Sequence, residues 1–130
     1  MASDLFGLEG KVAVVTGSTR GIGLAAARLM AEAGARIVLS SRKPEACEQT
    51  LADFKAAGHQ AIAVPAHVAR EEDRQRLISE TMKAFGRIDI MVPNAAVNPV
   101  FSTLQDMSED VWRKIMDTNL TAGWRLGQLA

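Results

Sequence analysis

The sequence contains no tyrosine, only one cysteine and no long apolar segment, and each of these absences excludes a kind of site or structure. The single cysteine, Cys47, excludes an internal disulfide, and it has no histidine at metal-ligand spacing, so we expect no metal site. No apolar run approaches the roughly 20 residues that a membrane span needs. A formal net charge of zero gives no electrostatic basis for binding nucleic acid or an anionic membrane. Because the N-terminus also lacks the pattern of a signal peptide, we expect a cytoplasmic protein.

Four short apolar runs alternate with longer helical patterns. The runs are rich in Val and Ile and cover residues 11–16, 35–40, 60–65 and 88–93. Glycine, proline or polar residues bound each run, as is typical of buried parallel strands. Since strand–helix–strand repeats form parallel sheets with right-handed crossovers, the alternation predicts an α/β fold. A length of 130 residues fits a single domain, residues 1–130.

The helical stretches between these runs have recognisable ends. Three of them are predicted to stop at glycines, namely Gly34, Gly58 and Gly86. The first begins at Gly21, and its apolar face is predicted to comprise Ile22, Ala25, Ala26, Leu29 and Met30. The last begins at Ser108, a favourable N-cap residue, and an Asn-Leu-Thr interruption predicts either two short helices or one bent helix. We expect Trp112 of this stretch to pack on the sheet.

Residues 14–23 place three glycines between the first strand and the first helix. The backbone N–H groups of such a turn, together with the positive end of the helix dipole, favour an anion. Gly17 allows an unusual backbone conformation, Gly21 allows a pyrophosphate to approach, and Gly23 allows the helix to pack closely on the strands. A tight turn with incidental glycines is the alternative. Because the loop stands in the first unit of an alternating chain, the sequence favours dinucleotide binding.

The spacing Thr16-Gly17-x-x-x-Gly21-Ile22-Gly23 resembles the short-chain dehydrogenase/reductase family. The resemblance covers the whole chain, because Asn-Ala-Ala at 94–96 and Asn119 in Thr-Asn-Leu-Thr-Ala-Gly follow in the family's order. It implies a Rossmann-type doubly wound parallel sheet, here ending after the fourth strand and the helices that follow. It also implies an oxidoreductase that interconverts a carbonyl and an alcohol by hydride transfer, with a nicotinamide cofactor and a small-molecule substrate.

The residues after the second strand bear on which cofactor is used. A member that prefers NAD has an acidic residue there for the ribose 2′-hydroxyl, but this sequence has Ser41 followed by Arg42. Arg20, in the glycine loop, is expected to face the same ribose. Two guanidinium groups with the hydroxyls of Thr19 and Ser41 suit a phosphate, so we predict NADP(H) over NAD(H). The alternative is that Arg42 is only a solvated residue at the start of a helix, but the helix dipole disfavours positive charge at that position.

Two segments depart from the family pattern. His67-Val68 stands where the family usually has Asp-Val at the adenine edge, and Pro93-Asn94-Ala95-Ala96 replaces Asn-Asn-Ala-Gly. A neutral His67 can offer a ring nitrogen to the adenine amine, and a half-buried loop histidine is the alternative. With Ser-Ser-Arg-Lys at 40–43, these departures resemble the NADP-dependent carbonyl and retinal reductases of the dehydrogenase/reductase family member 4 type, which implies a homotetramer. The expected cofactor-binding residues are Gly17, Ser18, Thr19, Arg20, Gly21, Ile22, Gly23, Ser41, Arg42, His67, Val68, Asn94, Ala95 and Ala96.

The family's catalytic residues are Ser, Tyr and Lys, supported by an Asn that lies upstream of them. Asn119 matches that Asn. The alternative is that Asn119 is a polar residue that bends the helix and forms its hydrogen bonds locally. The sequence has no tyrosine, so we expect the cofactor-binding half of a longer reductase, inactive by itself and prone to associate through its fourth strand and last helix. A non-catalytic dinucleotide-binding or redox-sensing module is the alternative function.

Overall fold

A computed structural model describes residues 5–130 and contains one sheet of four parallel strands in the order β3–β2–β1–β4. The strands are β1 Val12–Thr16, β2 Arg36–Ser40, β3 Ala61–Ala63 and β4 Ile90–Val92. The helices are α1 Gly21–Glu32, α2 Pro44–Ala56, α3 Glu71–Phe85, α4 Glu109–Met116 and α5 Ala122–Leu129. A 3-10 turn, Leu104–Asp106, precedes α4, and a π-helical turn, Asp117–Thr121, joins α4 to α5. The predicted Rossmann-like parallel α/β fold is therefore confirmed.

The sheet is buried on both faces because alternate residues of its two central strands enter separate apolar clusters. Val12 and Val14 of β1 belong to one cluster, and Ala13 and Val15 belong to the other. Successive side chains of a strand point to opposite faces, so both sides of such a strand must be apolar. The predicted runs 60–65 and 88–93 are longer than β3 and β4. Val64, just outside β3, packs into the core, and its N–H donates to the carbonyl of Leu39 at 2.9 Å.

Helix α1 faces the sheet with only part of the predicted face. Its buried residues are Gly23, Ala27 and Ala31, and the predicted Met30 packs against the same core while half-buried. The three buried positions are four residues apart, which places them on one side of the helix. The prediction was wrong for Ile22 and Leu29, which are 83% and 66% exposed. At Gly23 the close approach of the helix to the Gly17 carbonyl, rather than hydrophobicity, selects the residue.

The last helical stretch has the predicted start and the predicted interruption. The hydroxyl of Ser108 accepts a hydrogen bond from the N–H of Val111 at 3.3 Å, and the interruption is the π-helical turn. The expectation that Trp112 packs on the sheet was wrong, because its side chain is 48% exposed. Ala122 and Leu126 of α5 make the core contacts instead. Within residues 5–130, no helix has the length and apolar character needed to cross a membrane.

Glu71, at the start of α3, connects three parts of the fold. Arg125 of α5 donates to its Oε1 at 2.7 and 3.0 Å, and Arg74 donates to its Oε2 at 2.7 Å. Arg74 is buried, and it also donates to the carbonyl of Val68 at 2.6 Å. The two guanidinium groups, Arg125 first and then Arg74, lower the pKa of Glu71 from 4.5 to about 2.

Protonation of Glu71 is expected to destabilise the fold at acid pH. Because its folded pKa is depressed, its contribution to stability is present above pH 4.5 and is lost as the pH falls towards about 2. Replacing Glu71 with Gln should lower the melting temperature at neutral pH and flatten the loss of stability in that window. Thermal melts followed by circular dichroism test this, with Glu72→Gln as the control on the same helical turn. Equal acid profiles for wild type and Glu71→Gln would contradict it.

Candidate functional site

A cleft of about 680 Å³ opens beyond the carboxyl ends of the strands. Residues that follow each of the four strands line it, together with the start of α1 and the π-helical turn. The volume lies within the range of about 300–1,000 Å³ that is usual for ligand sites. In open α/β sheets, ligands bind outside the carboxyl ends of the strands where the strand order reverses. That reversal occurs here at β1, which has β2 on one side and β4 on the other.

The glycines of the loop between β1 and α1 are required for two different reasons. Gly17 and Gly21 have positive φ angles of 65° and 58°, a conformation that other residues rarely adopt. Gly23 has an ordinary conformation, but a Cβ atom on it would lie 2.2 Å from the carbonyl oxygen of Gly17. A Cβ on Gly21 would have no atom within 4 Å, so this position faces open space. The loop therefore leaves room for a ligand at the N-terminus of α1.

Thr16 and Asn94 hold this loop in place. Thr16 Oγ1 accepts the N–H groups of Asn94 at 3.0 Å and Ala95 at 3.1 Å. The Asn94 amide in turn donates to the carbonyls of Thr16 at 3.1 Å and Gly17 at 3.3 Å. Asn94 was predicted from its position in a motif, and Thr16 was not predicted to have this role. Together the two side chains join the loop after β4 to the glycine loop.

Ser18 differs from the other predicted cofactor residues in its position. It is completely buried, and its hydroxyl accepts the N–H of Ser40 at 2.9 Å. It does not line the cleft, so it is placed to support the loop from beneath instead of contacting a ligand directly. Ser40 does line the cleft, and its own hydroxyl is buried with no hydrogen-bond partner among residues 5–130. A polar ligand or a water molecule would satisfy that hydroxyl.

The basic residues of the cleft have no acidic partners within the described residues 5–130. Arg20, Arg42 and Lys43 line it, and none of them forms an ion pair with a carboxylate of residues 5–130. Helix α1 also has no acidic residue in its first turn. The positive end of this helix and three unpaired cations therefore face the same space, which suits an anion with several charges.

His67 and Val68 form the part of the cleft wall that follows β3. The backbone N–H of His67 donates to Asp73 Oδ2 at 2.7 Å. Burial, followed by the charges of Arg70 and Arg42, lowers the pKa of the imidazole below its usual value. These effects therefore favour the neutral form of the ring. Asp73 acts in the opposite direction, but its effect is smaller than those of burial and the two arginines.

Asn119 contacts the loop after β4. Its Oδ1 accepts the N–H of Val97 at 2.8 Å, and its Nδ2 donates to the carbonyl of Val97 at 2.9 Å. Its partner is 22 residues away, so the amide is not satisfied locally. Val97 and the buried Thr118 line the cleft, whereas Asn119 itself does not. The structure thus gives Asn119 the role of holding the cleft wall, and its catalytic role stays a prediction.

All of the predicted cofactor residues except Ser18 line this cleft. Sequence reasoning missed six further lining residues, which are Ser40, Lys43, Ala46, Ala66, Val97 and Thr118. All of them except Ala46 stand next to a predicted residue in the sequence, so adjacency could have indicated them. No motif or neighbour marks Ala46.

A parallel sheet with a glycine loop, a helix N-terminus and unpaired cations at one cleft defines a dinucleotide-binding protein of the Rossmann class. The sequence model of the short chain dehydrogenase family matches residues 11–130, and the chain belongs to that family. Family membership implies an oxidoreductase with a nicotinamide dinucleotide as cofactor. The described residues fit such a group, because the open space at Gly21, the unpaired cations and the unpartnered Ser40 hydroxyl lie around one cleft.

Several relatives resemble the chain closely, as the sequence motifs predicted. It is 48% identical over 115 residues to dehydrogenase/reductase SDR family member 4 of Oryctolagus cuniculus, covering 88% of this chain and 44% of the relative. It is 46% identical over 115 residues to the Homo sapiens protein of that name, covering 88% of this chain and 41% of the relative. A solved short-chain type dehydrogenase/reductase from Mycobacterium marinum superposes with a TM-score of 0.92 at 31% identity, covering 100% of this chain and 53% of that one. The chain thus spans about half the length of these proteins, or less.

Replacing Gly23 with Ala should disrupt the glycine loop. The new Cβ would lie 2.2 Å from the Gly17 carbonyl oxygen, so backbone must move, at a cost of about 1–3 kcal/mol. We expect a loss of stability in urea and a loss of nucleotide binding. Gly127→Ala is the matched control, because a Cβ there meets no atom within 4 Å and should stabilise α5 by about 0.5–1 kcal/mol. A Gly23→Ala variant with unchanged stability and binding would refute the close approach.

Proposed function

We propose that this protein is an NADP(H)-dependent oxidoreductase that interconverts a carbonyl and an alcohol by hydride transfer. Its described residues would bind the cofactor. The observation that carries the proposal is that Arg20, Arg42 and Lys43 line the same cleft as the glycine loop and pair with no carboxylate of residues 5–130. The names of the relatives support a dehydrogenase or reductase activity.

The end of β2 supports NADP(H) over NAD(H). A ribose 2′-hydroxyl is usually bound by a carboxylate at this point, and a 2′-phosphate by an arginine. Here the strand ends at Ser40 and is followed by Ser41 and Arg42, so no carboxylate is present. A carboxylate would repel the phosphate, whereas a guanidinium can form charge-assisted hydrogen bonds with it.

The bound nicotinamide would accept or supply the hydride. The residues of this chain would bind the pyrophosphate at the glycine loop and position the loop after β4 through the two hydrogen bonds between Asn119 and Val97. Hydride transfer to a carbonyl also needs a proton donor, which the family takes from a tyrosine, and these 130 residues include none. We therefore propose that the chain binds the nucleotide but does not by itself reduce a carbonyl.

Arg42→Ala should weaken NADPH binding and leave NADH binding nearly unchanged. One lost charge-assisted hydrogen bond to a phosphate costs about 1.5–3 kcal/mol, which corresponds to about tenfold or more in affinity. Titrations of nucleotide fluorescence with NADPH and with NADH measure both affinities. Arg113→Ala is the control, because this exposed arginine lies on α4 outside the cleft. Equal losses for the two nucleotides, or no loss for NADPH, would count against the proposed 2′-phosphate site.

We also propose that the chain associates with copies of itself, in line with the predicted homotetramer of the whole protein. Trp124 and Leu120 are 62% and 60% exposed near the end of the chain, and β4 is an edge strand. Apolar surface of this kind favours association. Static light scattering should give a mass above the 14.0 kDa of one chain, and Trp124→Gln should lower that mass. A monomer at all concentrations would contradict this.

A further inference from the structure

The loops that follow β2 and β3 run side by side beyond the ends of the two strands. The N–H of Ala66 donates to the carbonyl of Ser41 at 2.9 Å. This bond extends the parallel ladder of β2 and β3 past the last paired residues of both strands. The next residue in each loop is Arg42 and His67 respectively, and both line the cleft. The ladder therefore places an arginine and a histidine next to one another on the same wall.

The imidazole of His67 has more cations than carboxylates around it. The charged groups that act on it are Arg42 in the loop after β2, and Arg70 and Asp73 at the start of α3. Asp73 is already engaged, because its Oδ2 accepts the backbone N–H of His67 at 2.7 Å and its Oδ1 accepts from Arg76 at 2.9 Å. Burial, followed by Arg70 and Arg42, lowers the pKa of the ring in the free chain.

His67 differs from the other charged residues of the cleft because its charge can change near neutral pH. The others that line the cleft are Arg20, Arg42 and Lys43, and no lining residue among the described part of the chain is an Asp or a Glu. Histidine is the residue type that ordinarily changes charge between about pH 5 and 8. Among the described lining residues, His67 is therefore the one through which pH can alter the positive charge of the cleft.

We propose that protonated His67 is a further cation of the 2′-phosphate site, so that the preference for NADP(H) over NAD(H) increases as the pH falls. The inference rests on the proposed function, which places this phosphate at Arg42, the residue that His67 adjoins. A phosphate monoester carries about 1.5 to 2 negative charges near neutral pH. That charge favours the protonated ring, which burial and the arginines disfavour in the free chain.

Proton binding and phosphate binding then favour each other. The phosphate raises the pKa of His67 from its lowered value in the free chain, so the gain in affinity begins as the pH falls through the pKa of the complex. The gain is complete below the pKa of the free chain. The phosphate has its own pKa of about 6 and loses charge as the pH falls, which weakens binding by every variant alike. A comparison of variants at each pH removes that effect.

Isothermal titration calorimetry with NADP⁺ and with NAD⁺, at about pH 5.5 and about pH 8, tests the proposal. His67→Asn removes the titrating ring but keeps an oxygen that can accept the N–H of Ala69, as Nδ1 does at 3.3 Å. The ratio of the variant Kd to the wild-type Kd for NADP⁺ should be about fivefold larger at the acid pH than at the alkaline pH. For NAD⁺, which lacks the 2′-phosphate, the ratio should be the same at both.

A permanent charge should reproduce the protonated state. His67→Lys should bind NADP⁺ about fivefold more tightly than wild type at the alkaline pH and lose this advantage at the acid pH. A residue that only supports the loop would not be improved by lysine. His59→Gln is the matched control, because this second histidine packs against Phe54 outside the cleft and should keep the wild-type pH dependence.

Each outcome of the titrations has a definite meaning. Equal NADP⁺ ratios at the two pH values would overturn the inference and leave the proposed function intact. An equal change for NAD⁺ would also overturn it, because the charge of His67 would then act on the pyrophosphate that both nucleotides share. Failure of wild type to bind either nucleotide would overturn the proposed function and the inference together.

NMR titration of the histidine rings tests the same inference in the wild-type chain. The chain has two histidines, so His59→Gln assigns both signals. The pKa of His67 should rise when the chain is saturated with NADP⁺ and should not rise to the same extent with NAD⁺. A pKa of His67 that stays the same or falls with NADP⁺ would refute the proposed linkage.

Discussion

The contact between the start of α1 and the glycine loop is the constraint on which the rest of the site depends. Gly23 lies so close to the Gly17 carbonyl that no side chain can occupy the space between them. This closeness directs the N-terminus of α1, with its unpaired N–H groups and positive dipole, into the cleft. It also explains why α1 faces the loop with Gly23, since a side chain at that position would push the helix away. A backbone requirement at one turn thus determines how the first turn of the helix packs.

Two sets of hydrogen bonds position the other walls of the cleft. Thr16 and Asn94 tie the loop after β4 to the glycine loop. On the opposite side, Arg74 holds the Val68 carbonyl and shares Glu71 with Arg125 of α5. Because the groups are connected in this way, the walls of the cleft are positioned by the same helices that fill the core. The cleft therefore needs little rearrangement to accept a ligand, which favours affinity.

The features that sequence could predict are those that depend on local backbone requirements. The glycine spacing, the end of α3 at Gly86 and the Ser108 cap each act within a few residues, so the pattern alone indicates them. The features it missed depend on contacts between distant segments. The exposure of Trp112 follows from which helix reaches the sheet, and the bonds of Thr16 involve residues nearly eighty positions away. The 3.3 Å bond from the Ala69 N–H to His67 Nδ1 depends on a loop conformation that residue types do not reveal.

Charge balance over the chain conceals how the charges are distributed. The 15 basic and 15 acidic residues cancel, so composition alone gives no reason to expect an anion site. In the fold, however, carboxylates pair with arginines away from the cleft, as Glu71 does with Arg125 and Asp89 with Arg87. These pairings leave the cations of the cleft, including Arg42, without an ion pair among the residues that the structure describes. An anionic ligand is then the group that can balance the charge of the cleft, which is why the position of the acids matters as much as that of the arginines.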